Sequence, residues 1–345
     1  MSEMRRLRAL VVSLLLGAGP SACSLLVSTD GLSGAPAIEG GAGAGDASLE
    51  SAADSSPAQD AAGAADAADA AKTPPSCDLT KPFGTMTLLA APVSSPSNEL
   101  AGYFSPDRLT IYVASDRSGA GDIFAFSRPN VMAPWGIAIA FGAVNSAQKD
   151  SDPWVSADQL TMYLDSKRPA SAAGANVFVA TRAKAGDDFG AAVLVGGGVA
   201  SDSDDREPWL TPSRDRLYFA SDRDATSLGV GLELYVSQRA GDGTFGAALR
   251  LAELGSGATE ESPFLTADEL TVYFASERSG GPGASDIWTA KRSDKDAAFG
   301  APVVVAELST TAADYPSWLS DDGCAILIES YITGNAELFY SERPK

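Results

Sequence analysis

Histidine is absent from all 345 residues of this chain. That absence removes Ser-His-Asp and Cys-His catalysis, histidine-ligated zinc and an imidazole general base together, so any hydrolytic chemistry falls to carboxylates. Cysteine is scarce, with three residues at Cys23, Cys77 and Cys324. Cationic side chains are outnumbered, 25 Lys and Arg against 45 Asp and Glu, for a formal charge of −20. A surface of that sign opposes phosphate backbones and anionic headgroups, which argues against nucleic-acid partners and requires membrane attachment to come from something other than charge. Solvated faces account for most of the charge without any function. No apolar stretch approaches the length of a permanent membrane span.

What the chain does have is an internal repeat, written five times between Glu99 and Arg343. Anchored on the Ser or Thr before a turn, the copies begin at Ser105, Ser156, Thr211, Thr266 and Ser320, spaced 51, 55, 55 and 54 residues apart. Seven residues past each anchor stand Tyr112, Tyr163, Tyr218, Tyr273 and Leu327, and two before it Tyr103, Trp154, Trp209, Phe264 and Trp318. Periods of this length belong to solenoids, propellers or arrays. Each copy reads as strand-like runs separated by turn residues, a small antiparallel sheet. The first two strands are apolar at successive positions, as in Leu217-Tyr218-Phe219-Ala220, which implies burial on both faces and hence stacking between like sheets.

The outer strand supplies the argument for closure. A Phe-Gly pair follows each third strand at Phe141-Gly142, Phe189-Gly190, Phe245-Gly246 and Phe299-Gly300, but the fifth copy ends at Lys345 without one. The missing pair stands ahead of the first copy, as Phe83-Gly84. The count balances when the N-terminal strand completes the last blade, giving an all-β, five-bladed β-propeller over residues 77–345; the competitor is an open solenoid. The turn Phe104-Ser105-Pro106-Asp107, with Tyr112-x-Ala114-Ser115-Asp116-Arg117 and Asp122-Ile123-Phe124, resembles the TolB-like, WD-repeat-like propeller repeat over about residues 83 to 343. The chain departs from that pattern at Ala157 and Ala267 for the turn proline, at Lys167 and Glu277 for the middle Asp, and at Ile332 where Arg is expected. The resemblance implies an envelope binding module rather than a particular partner.

The N-terminal region reads differently. Arg5, Arg6 and Arg8 followed by the apolar run Leu10 to Leu16 form an export signal over residues 1–22. Gly19-Pro20-Ser21-Ala22-Cys23 resembles a bacterial lipobox with Cys23 as the lipidated residue, although Pro20 stands where leucine is usual; the alternative is an ordinary secretory signal. Ser24 then resembles the outer-membrane sorting pattern. Residues 23–76 are rich in Ala, Gly, Ser, Asp and Pro, a composition that cannot offset its ordering entropy and is expected to form a disordered tether. As a flexible coil of about 50 residues it would reach about 40 Å.

Cys77 and Cys324 both belong to the last blade under the closure scheme, one just before the outer strand and the other just after the first turn. They are expected to form a disulfide in an oxidising compartment, with two unrelated free thiols as the alternative. Six residues before each anchor every copy is acidic, at Glu99, Asp150, Asp205, Glu260 and Asp314. These acids are expected near one mouth of the central channel, where a carboxylate ring is donor chemistry for calcium or a cationic ligand group. Against that stands a structural role, each acid pairing with Arg117, Arg168, Arg223 or Arg278. Copy five has Ile332 in place of the arginine, so Asp314 is the acid to inspect for a site. Arg128, Arg182, Arg239, Arg292 and Arg343 close every third strand, a pattern of structural pairing or edge protection, and the repeated aromatics read as packing between blades.

The expectation is therefore a non-enzymatic, monomeric, lipid-anchored propeller of the bacterial envelope, facing the periplasm or the cell surface, that binds a protein or cell-wall component at a channel mouth. No catalytic residue, resident metal or cofactor is implied, calcium being the one ion the acids suggest. A carboxylate glycoside hydrolase is the alternative, because five-bladed propellers also house sugar-cleaving enzymes; it needs acids with different roles, whereas these obey the repeat. A purely structural surface protein is the third reading.

Overall fold

The computed structural model describes residues 76–169, 174–229 and 231–345. The signal segment, Cys23 and all but the end of the tether lie outside them. Twenty strands form five four-stranded antiparallel sheets. The first strands of successive blades are β2 (Glu99–Phe104), β6 (Asp150–Val155), β10 (Asp205–Leu210), β14 (Glu260–Leu265) and β18 (Asp314–Leu319). Each contacts the next, and β18 contacts β2, so the ring is closed. Blade five contains β18, β19 (Ala325–Ser330) and β20 (Glu337–Glu342), and its outer strand is β1 (Thr87–Leu88), with Thr87 opposite Tyr340 and Leu88 opposite Phe339. The strand that closes the ring thus comes from the other end of the chain, and no blade is left with an open seam.

Each blade reproduces the same local chemistry. The anchor hydroxyl organises the first turn: Ser105 donates to Asp107 at 2.6 Å while accepting from the Thr110 amide at 2.9 Å. The residue three past the anchor is left-handed in every copy, at Arg108 (φ 56°), Gln159 (60°), Arg214 (60°), Glu269 (61°) and Gly323 (70°). Only copy five places glycine there, the residue that adopts this conformation without a Cβ penalty. The second strands sit between blades with both faces covered: Leu217, Tyr218, Phe219 and Ala220 are all buried.

Three of the five arginines that close the third strands lock blades together. Arg182 donates to the Tyr112 hydroxyl at 2.9 Å, Arg292 to Tyr218 at 3.0 Å and Arg343 to Tyr273 at 2.9 Å, each reaching into the preceding blade. Their guanidinium groups also cover the aromatic that opens the outer segment, Phe189 at 4.2 Å, Phe299 at 4.4 Å and Phe83 at 3.8 Å. Blade one corrects the alignment of that motif. Its counterpart of Phe-Gly is Trp135-Gly136, not Phe141-Gly142: Arg128 covers Trp135 at 4.1 Å, and the Gly136 amide donates to Ser127 O as Gly190 does to Thr181 O. A tryptophan meets the same need for a flat apolar face, and the loop that follows brings Phe141 against Tyr112 instead. The count of outer strands is unchanged.

Cys77 and Cys324 are joined in a disulfide, with Cα atoms 5.6 Å apart and 247 residues of chain enclosed. It fastens the segment leading into β1 to the first turn of blade five, at the seam of the ring.

Candidate functional site at the acidic end of the channel

The five repeated acids do not face the channel. Glu99, Asp150, Asp205, Glu260 and Asp314 are all fully buried at the starts of the first strands. Four are held by arginine: Arg117 to Glu99 at 2.8 Å, Arg168 to Asp150 at 2.6 Å, Arg223 to Asp205 at 2.6 Å and Arg278 to Glu260 at 3.2 Å. Each also accepts the main-chain amide four residues earlier, as Asp205 does from Ser201 at 2.7 Å and Glu99 from Ser95 at 3.2 Å. These pairs clip the loop entering a blade to the end of its second strand. They fix blade geometry, and a carboxylate so engaged is not free to meet a ligand.

A second set of carboxylates takes the position that the sequence reading assigned to the first. Two residues into each first strand the repeat breaks down, reading Ala101, Asp152, Glu207, Ser262 and Pro316. Here every first strand carries a bulge, the pairing with the second strand slipping between Ser151 and Trp154, Arg206 and Trp209, and Glu261 and Phe264. Asp152 (φ 53°), Glu207 (56°) and Ser262 (53°) are left-handed without being glycine. That conformation costs each of them energy, and bulges of this kind re-aim side chains. All five positions line one small axial cavity of about 20 Å³, together with Glu329 of the fifth blade's second strand.

Asp165 and Glu261 complete the cluster. Asp165, 4% exposed, accepts from the Ser151 hydroxyl at 3.1 Å, and Glu207 accepts from the Ser262 amide at 2.5 Å. Lys149 and Arg206 are the cations whose charge reaches this group, and Arg206 is itself paired with Asp204. Three carboxylates, Asp152, Glu207 and Glu329, therefore share the narrow channel, with Asp165, Glu261 and two cations close enough for their charge to act on them. The electrostatic consequence is large. Burial raises Glu207 to about 8, with the charges of Glu261 and Asp165 adding to it. Burial and the charge of Glu277 raise Glu261 to about 7. Asp165 and Glu329 are pushed well above the carboxylate range by burial and by the charge of Asp152, and Asp152 is raised by burial and Glu207. Glu207, at about 8, holds a proton at neutral pH. Among the described residues no group of three or more Asp, Glu or Cys side chains is arranged to hold a metal ion.

These residues carry two readable signals. Asp165 and Glu329 interrupt strands that are otherwise apolar, where Ala114, Ala220 and Ala275 stand in the other copies. The bulge positions vary between copies in a repeat that is otherwise regular.

The opposite end of the channel, where the first strands finish, opens into a cavity of about 610 Å³ whose wall includes Tyr103, Trp154, Trp209, Trp318, Pro106 and Pro212. The tryptophans offer it little surface, being 5 to 6% exposed. Trp154 packs edge-on against Tyr163 and Trp209 against Tyr218, within their own blades. They are packing residues that happen to border the widening of the channel.

No protein-family model matches the chain, and no curated protein matches it. Solved structures do. The catalytic domain of a GH62 α-L-arabinofuranosidase from Coprinopsis cinerea is 12% identical over 78% of this chain and 98% of its own, with a TM-score of 0.50. An endo-arabinase from Bacteroides thetaiotaomicron is 13% identical over 74% of this chain and 97% of its own, with a TM-score of 0.48. TolB from Acinetobacter baumannii is 15% identical over 73% of this chain, with a TM-score of 0.44, and the match spans 56% of the TolB chain. Likeness at such identity reaches the fold alone and stops there.

Proposed function

We propose that the protein is a binding module of the bacterial envelope, tethered to the outer membrane through a lipidated Cys23, that captures a cationic group of a protein or cell-wall partner at the acidic end of its channel. The observation that carries this reading is the convergence of Asp152, Glu207 and Glu329, from three different blades, on one narrow channel. Two of these carboxylates, Asp152 and Glu207, stand in left-handed backbone conformation, which supports the aim of the set. An ammonium group, close to a water in size, would meet carboxylates there in a low-dielectric setting, where a paired charge is worth most. The reading of residues 1–22 as an export signal, made from their sequence, is what supports the location.

Glycan hydrolysis is the second reading, favoured by Glu207, which at about 8 would hold a proton at neutral pH as a general acid must. The space among the carboxylates counts against it: about 20 Å³ is room for one water, not for a sugar ring.

The test is crosslinking of the full-length protein in intact cells, followed by mass spectrometry of captured species, with wild type beside a Glu207→Gln, Glu329→Gln double variant. A partner crosslinked at the acidic mouth in wild type and lost in the variant supports capture. Hydrolysis of a glycan panel by wild type, abolished in Glu207→Gln, would replace the binding reading with the enzymatic one.

A further inference from the structure

Blade five keeps a binding slot whose own occupant it has lost. In the other four blades the guanidinium of Arg117, Arg168, Arg223 or Arg278 fills one pocket with four walls. It bonds the repeated acid, as above. It donates to the hydroxyl of the serine two residues before it, at 3.0, 2.9, 3.0 and 2.9 Å for Ser115, Ser166, Ser221 and Ser276. It donates to a carbonyl six residues before the acid, that of Val93, Val144, Val199 or Leu254. Its fourth contact is an aromatic face on the third strand: Phe124 at 5.4 Å, Phe178 at 4.9 Å, Tyr235 at 5.0 Å and Trp288 at 5.1 Å.

Every wall has its counterpart in blade five: Asp314, Ser330, Leu308 and, on β20, Phe339, with Asp314, Ser330 and Leu308 fully buried. The arginine does not. Ile332 stands in its place and is 46% exposed. Asp314 shows the consequence. Its Oδ2 accepts the Thr310 amide at 2.5 Å, as the matching oxygen does in each other blade, but Oδ1, the atom that meets arginine in Asp150 and Asp205, is buried with no partner. Asp286 of blade four lies beside it, 2% exposed, and burial together with the charge of Asp314 raises its pKa. Among the described residues neither acid has a salt bridge, although Glu233, which holds the same position as Asp286 one blade earlier, has Arg250 at 3.2 Å. A fully buried carboxylate oxygen without a partner destabilises the fold, because its desolvation is not offset by a hydrogen bond.

We infer that the slot formed by Asp314, Ser330, Leu308 and Phe339 receives a guanidinium group from outside the chain, supplied by an arginine side chain of a protein partner. Four copies of the pocket in the same molecule show the ligand geometry, and a planar group that donates from Nε to the serine and from Nη2 to the acid and a carbonyl, with an aromatic face beneath, is met by guanidinium rather than ammonium. Asp314 and the channel carboxylates lie at the same end of the ring, so an arginine seated here would place its chain beside the acidic mouth. The slot shares no residue with that mouth, and either site can fail without the other.

The test is binding of methylguanidinium to the full-length protein by calorimetry, with methylammonium at equal ionic strength as control, followed by a blocked Gly-Arg-Gly tripeptide. Wild type should bind methylguanidinium and the tripeptide saturably and methylammonium more weakly. Asp314→Asn should weaken methylguanidinium by about tenfold to a hundredfold, the equivalent of one charge-assisted hydrogen bond. Ile332→Arg, which restores the internal cation, should abolish binding and raise Tm in the absence of ligand. Glu207→Gln should leave methylguanidinium binding unchanged. No saturable binding by wild type, or equal binding by wild type and Asp314→Asn, overturns the inference. Binding of methylguanidinium without the tripeptide overturns the assignment to a side chain.

Discussion

Replacing Glu207 by glutamine should make the protein more stable at alkaline pH and change little in mild acid. The carboxyl of Glu207 is raised from 4.5 to about 8 in the folded protein, mainly by burial. Between those values the folded state binds more protons than the unfolded one, so stability falls as pH rises through the window. At about 1.4 kcal/mol per tenfold, the full displacement corresponds to about 5 kcal/mol. Part of it arises from the charges of Glu261 and Asp165 and is shared among the coupled carboxylates, leaving about 2–4 kcal/mol to Glu207 itself. Glutamine is isosteric, keeps an acceptor for the Ser262 amide and suits the same backbone, so the gain is not offset by a lost contact. Wild type should therefore lose stability from about pH 5 to about pH 8, and Glu207→Gln should flatten that slope and gain roughly 5–10 °C in Tm at the upper end. Carboxylates held below their ordinary value, such as Asp158 and Asp215 with their hydroxyl partners and Glu342 with Tyr340 and Arg108, have the opposite sign. Their stabilisation is complete above the unfolded value and is lost only as pH falls through the lower folded one, outside this window. Urea unfolding followed by tryptophan fluorescence across the pH range measures the slope. A wild-type curve that is flat or rising from pH 5 to pH 8 would refute the reasoning, as would a variant that parallels it.

Two further outcomes follow from the ring. Reduction of Cys77–Cys324, or Cys324→Ser, removes a crosslink spanning 247 residues and should cost about 3–5 kcal/mol, read as a fall in Tm with dithiothreitol that the serine variant does not show. Arg223→Ala leaves Asp205 fully buried without its cation; unfolding by urea should show a loss of about 3–5 kcal/mol, part of which Asp205→Asn restores in the same background.

What could be read from the sequence and what could not divide along one physical line. Every blade faces the same demands: a turn that reverses, a second strand covered on both faces, a clip holding the incoming loop. Residues that meet them recur, so Ser105, Tyr112, Glu99 and Arg117 each announce themselves five times or nearly so, and the fold, the closing strand and the disulfide partners follow from counting. Trp135 escaped that count because an indole can replace a phenyl ring under Arg128, and a motif defined by letters misses a substitution defined by shape. The channel escaped it for a deeper reason. An axis is shared by all blades, so its contents are not subject to the repeat, and Asp152, Glu207 and Glu329 come together only after the ring is built. Their aim depends on bulges, which leave no mark on composition. The same contrast explains why the regular acids were poor candidates for a site: a carboxylate found in every blade is consumed by every blade. Asp314 is informative because it belongs to the regular set and lacks what the others have. A repeat protein measures its own exceptions, since the intact copies show what one damaged copy was built to hold, and here the missing element is a guanidinium.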